Sequence, residues 1–259
     1  MLLPLMWLRK KKLEGLLDAY PLYDPPHKVE ERVLPKEKAQ ENFEYFMRVR
    51  KERVAFFSIW LEENFDVKFT SDRKGAMALG GWLIRYGGLL FPTETVYRSY
   101  FRYDPPWTSD GTGCNVVFDA GVMFGESIIA NCARLRWEMG PASPAFTEKD
   151  IKELKNDFGS GLQRPEITGF VDPLIAVDPL SDIKYCAAQM RKGITYEGRK
   201  RYFGELGLSI QNIERYPALR FDVVLDVYNN GSLRMRYLRD HGIDIAALPD
   251  EHGAEDDDD

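Results

Sequence analysis

The sequence predicts an α+β protein in which long amphipathic helices pack against a mostly antiparallel sheet. Two apolar patterns support this class: long stretches repeat apolar residues about every 3.6 positions, and shorter stretches alternate apolar and polar residues. A third observation places the core. Residues 115–132 form an apolar run that is longer than a normal strand and carries only two charged side chains, so we expect a central buried helix there.

The helices expected before this run are defined by periodicity and by their ends. Apolar residues recur at helical spacing over residues 36–64, with charged residues on the other face. A second helix is expected to be capped by Thr70 or Ser71 and to reach Tyr86, where two consecutive glycines, 87–88, predict its end.

The other elements are predicted by alternation, prolines and capping residues. The expected strands lie in residues 89–107, 134–139, 159–180 and 221–228. We expect one helix to begin at Thr147 and another to run from Ser181 to Met190. Residues 233–241 are expected to form a final helix, with a hairpin partner of the strand at 221–228 as the alternative.

The N-terminal residues 1–35 are predicted to be a leader followed by a proline-rich linker, because residues 20–35 contain four prolines. The leader has an apolar run before its positive charges, the reverse of a secretory signal, and no transmembrane segment is expected. We expect it to dock on the core with a solvated basic turn. Contact of Trp7 and residues 9–12 with anionic lipid is the alternative.

The net charge of −6 is located mainly at the other end of the chain. Seven of the 41 carboxylates lie in residues 250–259, which leaves 34 acidic against 35 basic residues elsewhere. We therefore expect a disordered acidic tail after a single α+β domain, residues 36–249, with a subdivision possible near residues 141–147.

The cysteines indicate the compartment. There are three, Cys114, Cys132 and Cys186, an odd number without C-x-x-C spacing. This pattern argues against a disulfide framework and against a thiolate metal site, so we expect a cytoplasmic protein with no metal. Phosphate-binding loops and dinucleotide fingerprints are also missing from the sequence, and we expect no cofactor.

Two carboxylates inside the central run are the candidate catalytic residues. Asp119 and Glu126 are seven residues apart, on one helical face and about 10.5 Å apart along the axis, and Asn115 lies on the same face. Buried paired carboxylates can act as general acid and base. The favoured interpretation is structural: Asp119 caps or orients the helix, and Glu126 pairs with an arginine such as Arg134 or Arg136.

Two glycines in the same run, Gly121 and Gly125, are separated by three residues. On a helix, this spacing leaves a groove in which another backbone can approach closely. Each glycine costs about 1 kcal/mol of helix propensity, so tight packing must offset the loss.

The remaining class of function is binding to another macromolecule. A basic stretch, residues 191–202, could contact nucleic acid, but the body has no basic excess, and we expect no nucleic-acid partner. Aromatic residues anchor protein interfaces. We expect a protein partner to be bound by an exposed aromatic set, and these residues are Tyr97, Tyr100, Tyr103 and Trp107.

Two segments carry a resemblance to known proteins. The stretch PKEKAQENFEYFMRVRKERVAFF and, further on, NVVFDAGVMFGESII resemble uncharacterised bacterial cytosolic proteins without an assigned activity, over about the first 140 residues. The resemblance transfers no catalytic role. Together with the missing catalytic motifs, it implies a non-enzymatic interaction protein, of immunity or adaptor type by analogy, with a hydrolase using Asp119 and Glu126 as the alternative.

Overall fold

The computed structural model describes residues 2–130, 134–140, 149, 161–169 and 176–191, and this part of the chain is mostly helical. Its helices are α1 (Leu2–Leu17), α2 (Lys36–Phe65), α3 (Arg73–Leu90), α4 (Glu94–Ser99), α5 (Gly113–Ala130) and α6 (Pro179–Arg191). Short 3-10 turns occupy Glu31–Val33 and Ser109–Gly111, and the strands are β1 (Arg136–Met139) and β2 (Pro165–Thr168).

The central helix α5 confirms the buried helix expected for the apolar run. Nearly all of its residues are buried, and it packs against α2, α3 and α6. The close backbone approach that the glycine spacing predicts is found at Gly121, whereas Gly125 makes room for a side chain. A Cβ on Gly121 would lie 2.9 Å from the Cα of Leu180 on α6, and a Cβ on Gly125 would overlap the indole of Trp137 on β1.

Among the described residues, one span, Ser109–Ala130, has the length and apolar composition that could cross a membrane. In the folded protein, 83% of its most apolar window is buried. A helix at the centre of a folded core is buried in the same way.

The long helix α2 confirms the amphipathic helix expected over residues 36–64. It begins at Lys36, directly after Pro35, whose fixed backbone suits a helix entry. It ends at Asp66, which adopts a left-handed conformation with φ of 54° and donates its N–H to the carbonyl of Glu62. Its buried side packs on α5, and its large apolar members are Phe46, Phe57, Trp60 and Leu61.

Helix α3 forms where expected, but both of its predicted ends are wrong. Its N-cap is Asp72, whose carboxylate accepts the Gly75 N–H at 3.1 Å, whereas the Thr70 hydroxyl only donates to Asp72. The helix continues through Gly87 and Gly88. These two glycines contact α6 and do not terminate α3. A Cβ on Gly88 would lie 2.5 Å from the Met190 carbonyl carbon.

The strands predicted for residues 89–107 are wrong, since this segment contains α4 and irregular turns. Thr93 caps α4 by accepting the Val96 N–H at 3.2 Å on its hydroxyl. The aromatic residues that suggested strands instead turn towards the core, where the Tyr100 and Trp107 rings stack with centroids 5.1 Å apart.

The sheet has two short antiparallel strands in the described residues, which confirms the α+β class in a coarse form. The strand expected at residues 134–139 is confirmed by β1, which pairs with β2 so that Trp137 lies opposite Ile167. Residues 159–180 were expected to be strands and turns. In the described part of this segment, β2, the turn at residues 162–163 and an isolated bridge between Ile167 and Val177 meet that expectation, whereas Pro179 and Leu180 already belong to α6.

Helix α6 confirms the helix expected from Ser181, but the predicted cap is wrong. The helix starts earlier, at Pro179, and Asp178 accepts the Ser181 N–H on Oδ1 at 3.0 Å. Proline at the first helical position is common, because its missing N–H has no partner there in any case.

The N-terminal residues pack on this body. In α1, Leu13 is buried and Lys12 donates to the carbonyl of Asn64 at the end of α2. Residues 18–35 are here called the connecting segment, and residues 20–35 of it were expected to be a linker. They contribute buried Tyr20 and Tyr23, and the Tyr23 ring stacks on Phe118 of α5 with centroids 4.0 Å apart.

Some of the expectations lie outside the described residues. These are the helix from Thr147, the subdivision near residues 141–147, the strand at residues 221–228, the helix at residues 233–241, the acidic tail and the environment of Cys132.

Candidate functional site

The polar side of α5 faces α2 and the connecting segment. Asn115, Asp119 and Glu126 all lie on this side, as their spacing predicted. Their partners come mainly from elsewhere in the chain, and the two carboxylates each bind an arginine of α2, Arg53 and Arg50. These arginines are three residues apart, so they occupy neighbouring positions on one side of α2.

Asp119 is fully buried, and its carboxylate accepts three hydrogen bonds. The Arg53 guanidinium donates from Nε to Oδ1 at 2.6 Å and from Nη2 to Oδ2 at 3.0 Å, which is a bidentate ion pair. The Tyr20 hydroxyl donates to Oδ2 at 2.7 Å. Burial raises the pKa of Asp119 to about 6, although the neighbouring Arg53 charge lowers it.

Arg53 also fixes the connecting segment. Its Nη1 donates to the Leu22 carbonyl at 3.0 Å, and its Nη2 donates to the Pro21 carbonyl at 3.2 Å. The guanidinium thus joins α2, α5 and the connecting segment in one buried network. A planar group with several fixed donors suits this role, which a lysine ammonium could not fill in the same way.

Asn115 extends the network by one helical turn. Its Oδ1 accepts the Tyr23 backbone N–H at 2.6 Å, and its Nδ2 donates to the carbonyls of Trp107 and Thr112 at 2.9 and 3.1 Å. The bonds to the Tyr23 N–H and to the Trp107 carbonyl satisfy backbone groups that are buried in the core. The sequence placed Asn115 on the same face as the two carboxylates, and its amide is used within the fold.

Glu126 lies nearer the edge of the core. Its Oε1 accepts from Arg50 Nε at 3.0 Å and from the Trp137 indole N–H at 2.8 Å. The expected partners of Glu126 were Arg134 and Arg136, and the described contacts do not include them. Arg134 is exposed, and Arg136 is exposed and donates to Glu138 at 2.6 Å.

The described contacts give the two carboxylates structural partners. Neither of them lines the cavity described below. General acid or base catalysis needs a carboxyl group within hydrogen-bond reach of a substrate, and both groups already bind arginine and an aromatic donor. The favoured interpretation of Asp119, orientation of the helix, agrees with this geometry.

The aromatic residues predicted to form an exposed binding set are largely turned inward. Trp107 and Tyr100 are buried, which contradicts the expected exposure. Tyr103 is partly buried, and its hydroxyl donates to Glu31 at 3.1 Å. Tyr97 is partly exposed. The physical reason is that the segment folds back over α5, where these rings stack on one another instead of facing solvent.

A small cavity of about 20 Å³ lies beneath these rings, between the connecting segment and β2. It is lined by Glu31, Tyr100 and Arg164 among others. Glu31 Oε2 and the Tyr100 hydroxyl are buried and have no hydrogen-bond partner among the described residues. The volume holds about one water molecule and is too small for an organic substrate. Burial raises the pKa of Glu31 to about 7.

Lys184 on α6 is a second feature that sequence patterns did not reveal. Its ammonium lies 4.5 Å from the Phe101 ring centroid and 4.6 Å from that of Tyr97, at cation–π distances. Burial lowers the pKa of Lys184 to about 8, and the Arg164 charge acts in the same direction. The aromatic residues of this segment therefore pack around an internal cation.

The described residues offer no donor set for a metal. No group of three or more His, Cys, Asp or Glu side chains in that part of the chain could hold a metal ion. Cys114 is buried, and burial raises the pKa of its thiol to about 12, so that it stays protonated at neutral pH.

Comparison of the chain with protein-family profiles, with curated proteins and with solved structures finds no match.

Proposed function

We propose that the chain is a non-enzymatic interaction protein that binds a protein partner through the outer face of α2. The observation that carries the proposal is a group of large apolar side chains left on the surface. Phe56 and Ile59 of α2 are 38% and 57% exposed, and Leu22 of the connecting segment is 47% exposed. We call these three residues the α2 surface.

The buried network holds the connecting segment against this part of α2. Phe56 and Ile59 are three positions apart and so are neighbours on the helix surface. The Leu22 carbonyl is bound by Arg53, one turn before Phe56, and the Phe56 ring packs edge-on against Tyr20 at 5.3 Å. A rigid apolar surface of this kind loses little conformational entropy on binding, which favours association.

The charge around the α2 surface is mixed, so we propose an apolar contact surrounded by polar residues. Glu52 and Glu63 are exposed one turn to either side, and Lys51 is exposed on the same helix. Protein interfaces commonly have an apolar centre and a polar rim. A bacterial cytoplasmic location and an immunity or adaptor role belong to this proposal as its biological setting.

Site-specific photo-crosslinking tests this function. A photoreactive residue placed at Ile59 should capture one discrete protein in cells, and the same residue placed at Met77 on α3, which is also exposed, should not. The captured protein, once purified, should bind the chain saturably, and Phe56→Asp should weaken this binding by at least tenfold while unfolding is unchanged. Equal capture at both positions, or binding unaffected by Phe56→Asp, contradicts the proposal.

The alternative is a hydrolase that uses Asp119 and Glu126. It receives less support, because both carboxylates bind arginines within the fold. A substrate screen decides the matter through the conservative variants Asp119→Asn and Glu126→Gln. A hydrolytic activity of the purified chain that both variants abolish without unfolding would replace the interaction proposal.

A further inference from the structure

The N-terminal helix α1 has two different halves along its axis. Residues 2–8 read LLPLMWL, and the next four residues, Arg9 to Lys12, are all cationic. The polarity therefore changes from one end of the helix to the other. Helices that lie flat on a membrane instead separate apolar and polar residues around the axis.

Two large apolar side chains of this helix are exposed to solvent. Trp7 is 59% exposed and Leu8 is 56% exposed. The second half of the helix is attached to the body by the burial of Leu13 and by the bond from Lys12 to the Asn64 carbonyl. The basic half is therefore attached to the body, and Trp7 and Leu8 at the end of the apolar half are exposed.

We infer that the apolar end of α1 inserts into the interface of an anionic lipid membrane, with the basic residues at the level of the head groups. Charge complementarity specifies the lipid. Arg9, Lys10 and Lys11 supply three positive charges, since Lys12 is bound to the Asn64 carbonyl of the body. Glu14, the acidic residue of the helix, forms an ion pair with Lys10 at 3.6 Å. Each cation near an anionic surface contributes roughly a fivefold gain in affinity.

The dimensions fit insertion to the interface only. Seven residues extend about 10 Å along a helix axis, which matches the depth of the head-group and acyl-chain boundary. The whole helix, Leu2–Leu17, has 16 residues and is shorter than the roughly 20 that a membrane span needs. Trp7 suits the boundary, because its indole has an apolar ring and a polar N–H. Lys11 lies 5.3 Å from that ring.

Trp7 also provides a specific signal. The chain has five tryptophans, and the other four, Trp60, Trp82, Trp107 and Trp137, are buried. Changes in the accessibility of tryptophan therefore report on Trp7. The full chain is mixed with vesicles of equimolar phosphatidylserine and phosphatidylcholine, or of phosphatidylcholine alone. We expect a blue shift and protection from acrylamide only with the anionic vesicles, and weaker binding as salt increases.

Variants separate the apolar and electrostatic contributions. Lys10→Gln with Lys11→Gln should weaken cosedimentation with the anionic vesicles by about 25-fold. The charge-matched control, Lys36→Gln with Lys38→Gln at the start of α2, should leave it unchanged, since these lysines are exposed on another element. Lys12 is left intact in both, because it contacts the body.

The tryptophan itself is tested with two substitutions. Trp7→Phe should remove the fluorescence change and keep most of the cosedimentation, whereas Trp7→Ala should lower cosedimentation by about tenfold. Absence of cosedimentation with anionic vesicles overturns the inference, as does equal binding to phosphatidylcholine alone. A blue shift that depends on protein concentration without lipid would also overturn it, because it would assign Trp7 to a contact between copies. If α1 does not bind lipid, the proposal that the α2 surface binds a protein partner is unaffected, because the two proposals depend on different residues.

Discussion

Arg53 of α2 and Asp119 of α5 form a buried bidentate ion pair, with nitrogen to oxygen distances of 2.6 and 3.0 Å. The ion pair does not fully offset the free energy of burying the Asp119 carboxylate, because burial raises the pKa of Asp119 even beside the guanidinium. Its role is to satisfy groups that the fold buries. Removing one partner leaves the other charge buried without compensation, which is far more costly than replacing both.

Arg53→Met should therefore destabilise the protein by about 3–5 kcal/mol. The substitution retains much of the side-chain volume, so the loss reports on the buried carboxylate and on the freed carbonyls of Pro21 and Leu22. Urea unfolding measures the change. Arg48→Met on the exposed side of α2 is the matched control, and we expect it to change stability by no more than about 0.5 kcal/mol. Equal effects of the two variants would show that the ion pair is dispensable.

Stability should fall as the pH rises through the neutral range. The pKa of Glu31 is about 7 in the folded protein against an ordinary value of 4.5, so the folded state holds this proton more tightly than the unfolded chain does. The stabilisation is complete below about pH 4.5 and is lost as the pH rises through 7. Asp119, whose pKa is also raised, acts in the same direction.

Glu31→Gln isolates this effect, because glutamine keeps an acceptor for the Tyr103 hydroxyl and cannot ionise. At pH 8 the variant should be more stable than the wild type by an amount on the order of 3 kcal/mol, and near pH 4 the difference should vanish. Thermal unfolding at several pH values measures it. Glu63→Gln on the exposed face of α2 should show no such dependence. A pH-independent difference for Glu31→Gln would mean that the carboxyl group is not buried in the folded state.

Gly121→Ala should destabilise the protein even though alanine is the better helix former. The added Cβ would lie 2.9 Å from the Leu180 Cα, so α5 and α6 would have to separate. Overpacking of this kind costs about 1–3 kcal/mol, which exceeds the gain of about 1 kcal/mol in helix propensity. Gly15→Ala on α1 is the opposite case, because nothing lies within 4 Å of its added Cβ, and it should be neutral or stabilising. Denaturant midpoints compare the two, and a stabilising Gly121→Ala would refute the close helix crossing.

Much of the helical fold could be predicted from the sequence, because apolar periodicity is a local property. The helices at residues 36–64 and 115–132 and the strand β1 were expected for this reason. The segment at residues 89–107 was not, because its aromatic residues resemble a strand while the Thr93 cap and the packing on α5 select a helix and turns. The ends of α3 were missed because Gly87 and Gly88 act through contact with α6, a tertiary effect.

The sequence predicted which residues form the candidate site, but it did not predict which side chains bind them. The spacing of Asp119 and Glu126 placed both on one face, but their arginines are more than 60 positions away in the chain. One signal was present in the sequence. Arg50 and Arg53 lie at helical spacing between Phe46 and Phe57, so they interrupt the apolar face of α2. A charged residue on a core face needs a buried partner, and α5 carries the available carboxylates.

A double-mutant cycle measures whether Asp119 serves the fold by binding Arg53. Arg53→Met, Asp119→Leu and the double variant are compared by urea unfolding. We expect the double variant to be less destabilised than the sum of the single variants by at least about 2 kcal/mol, because it leaves no unpaired buried charge. Additivity within about 0.5 kcal/mol would contradict it.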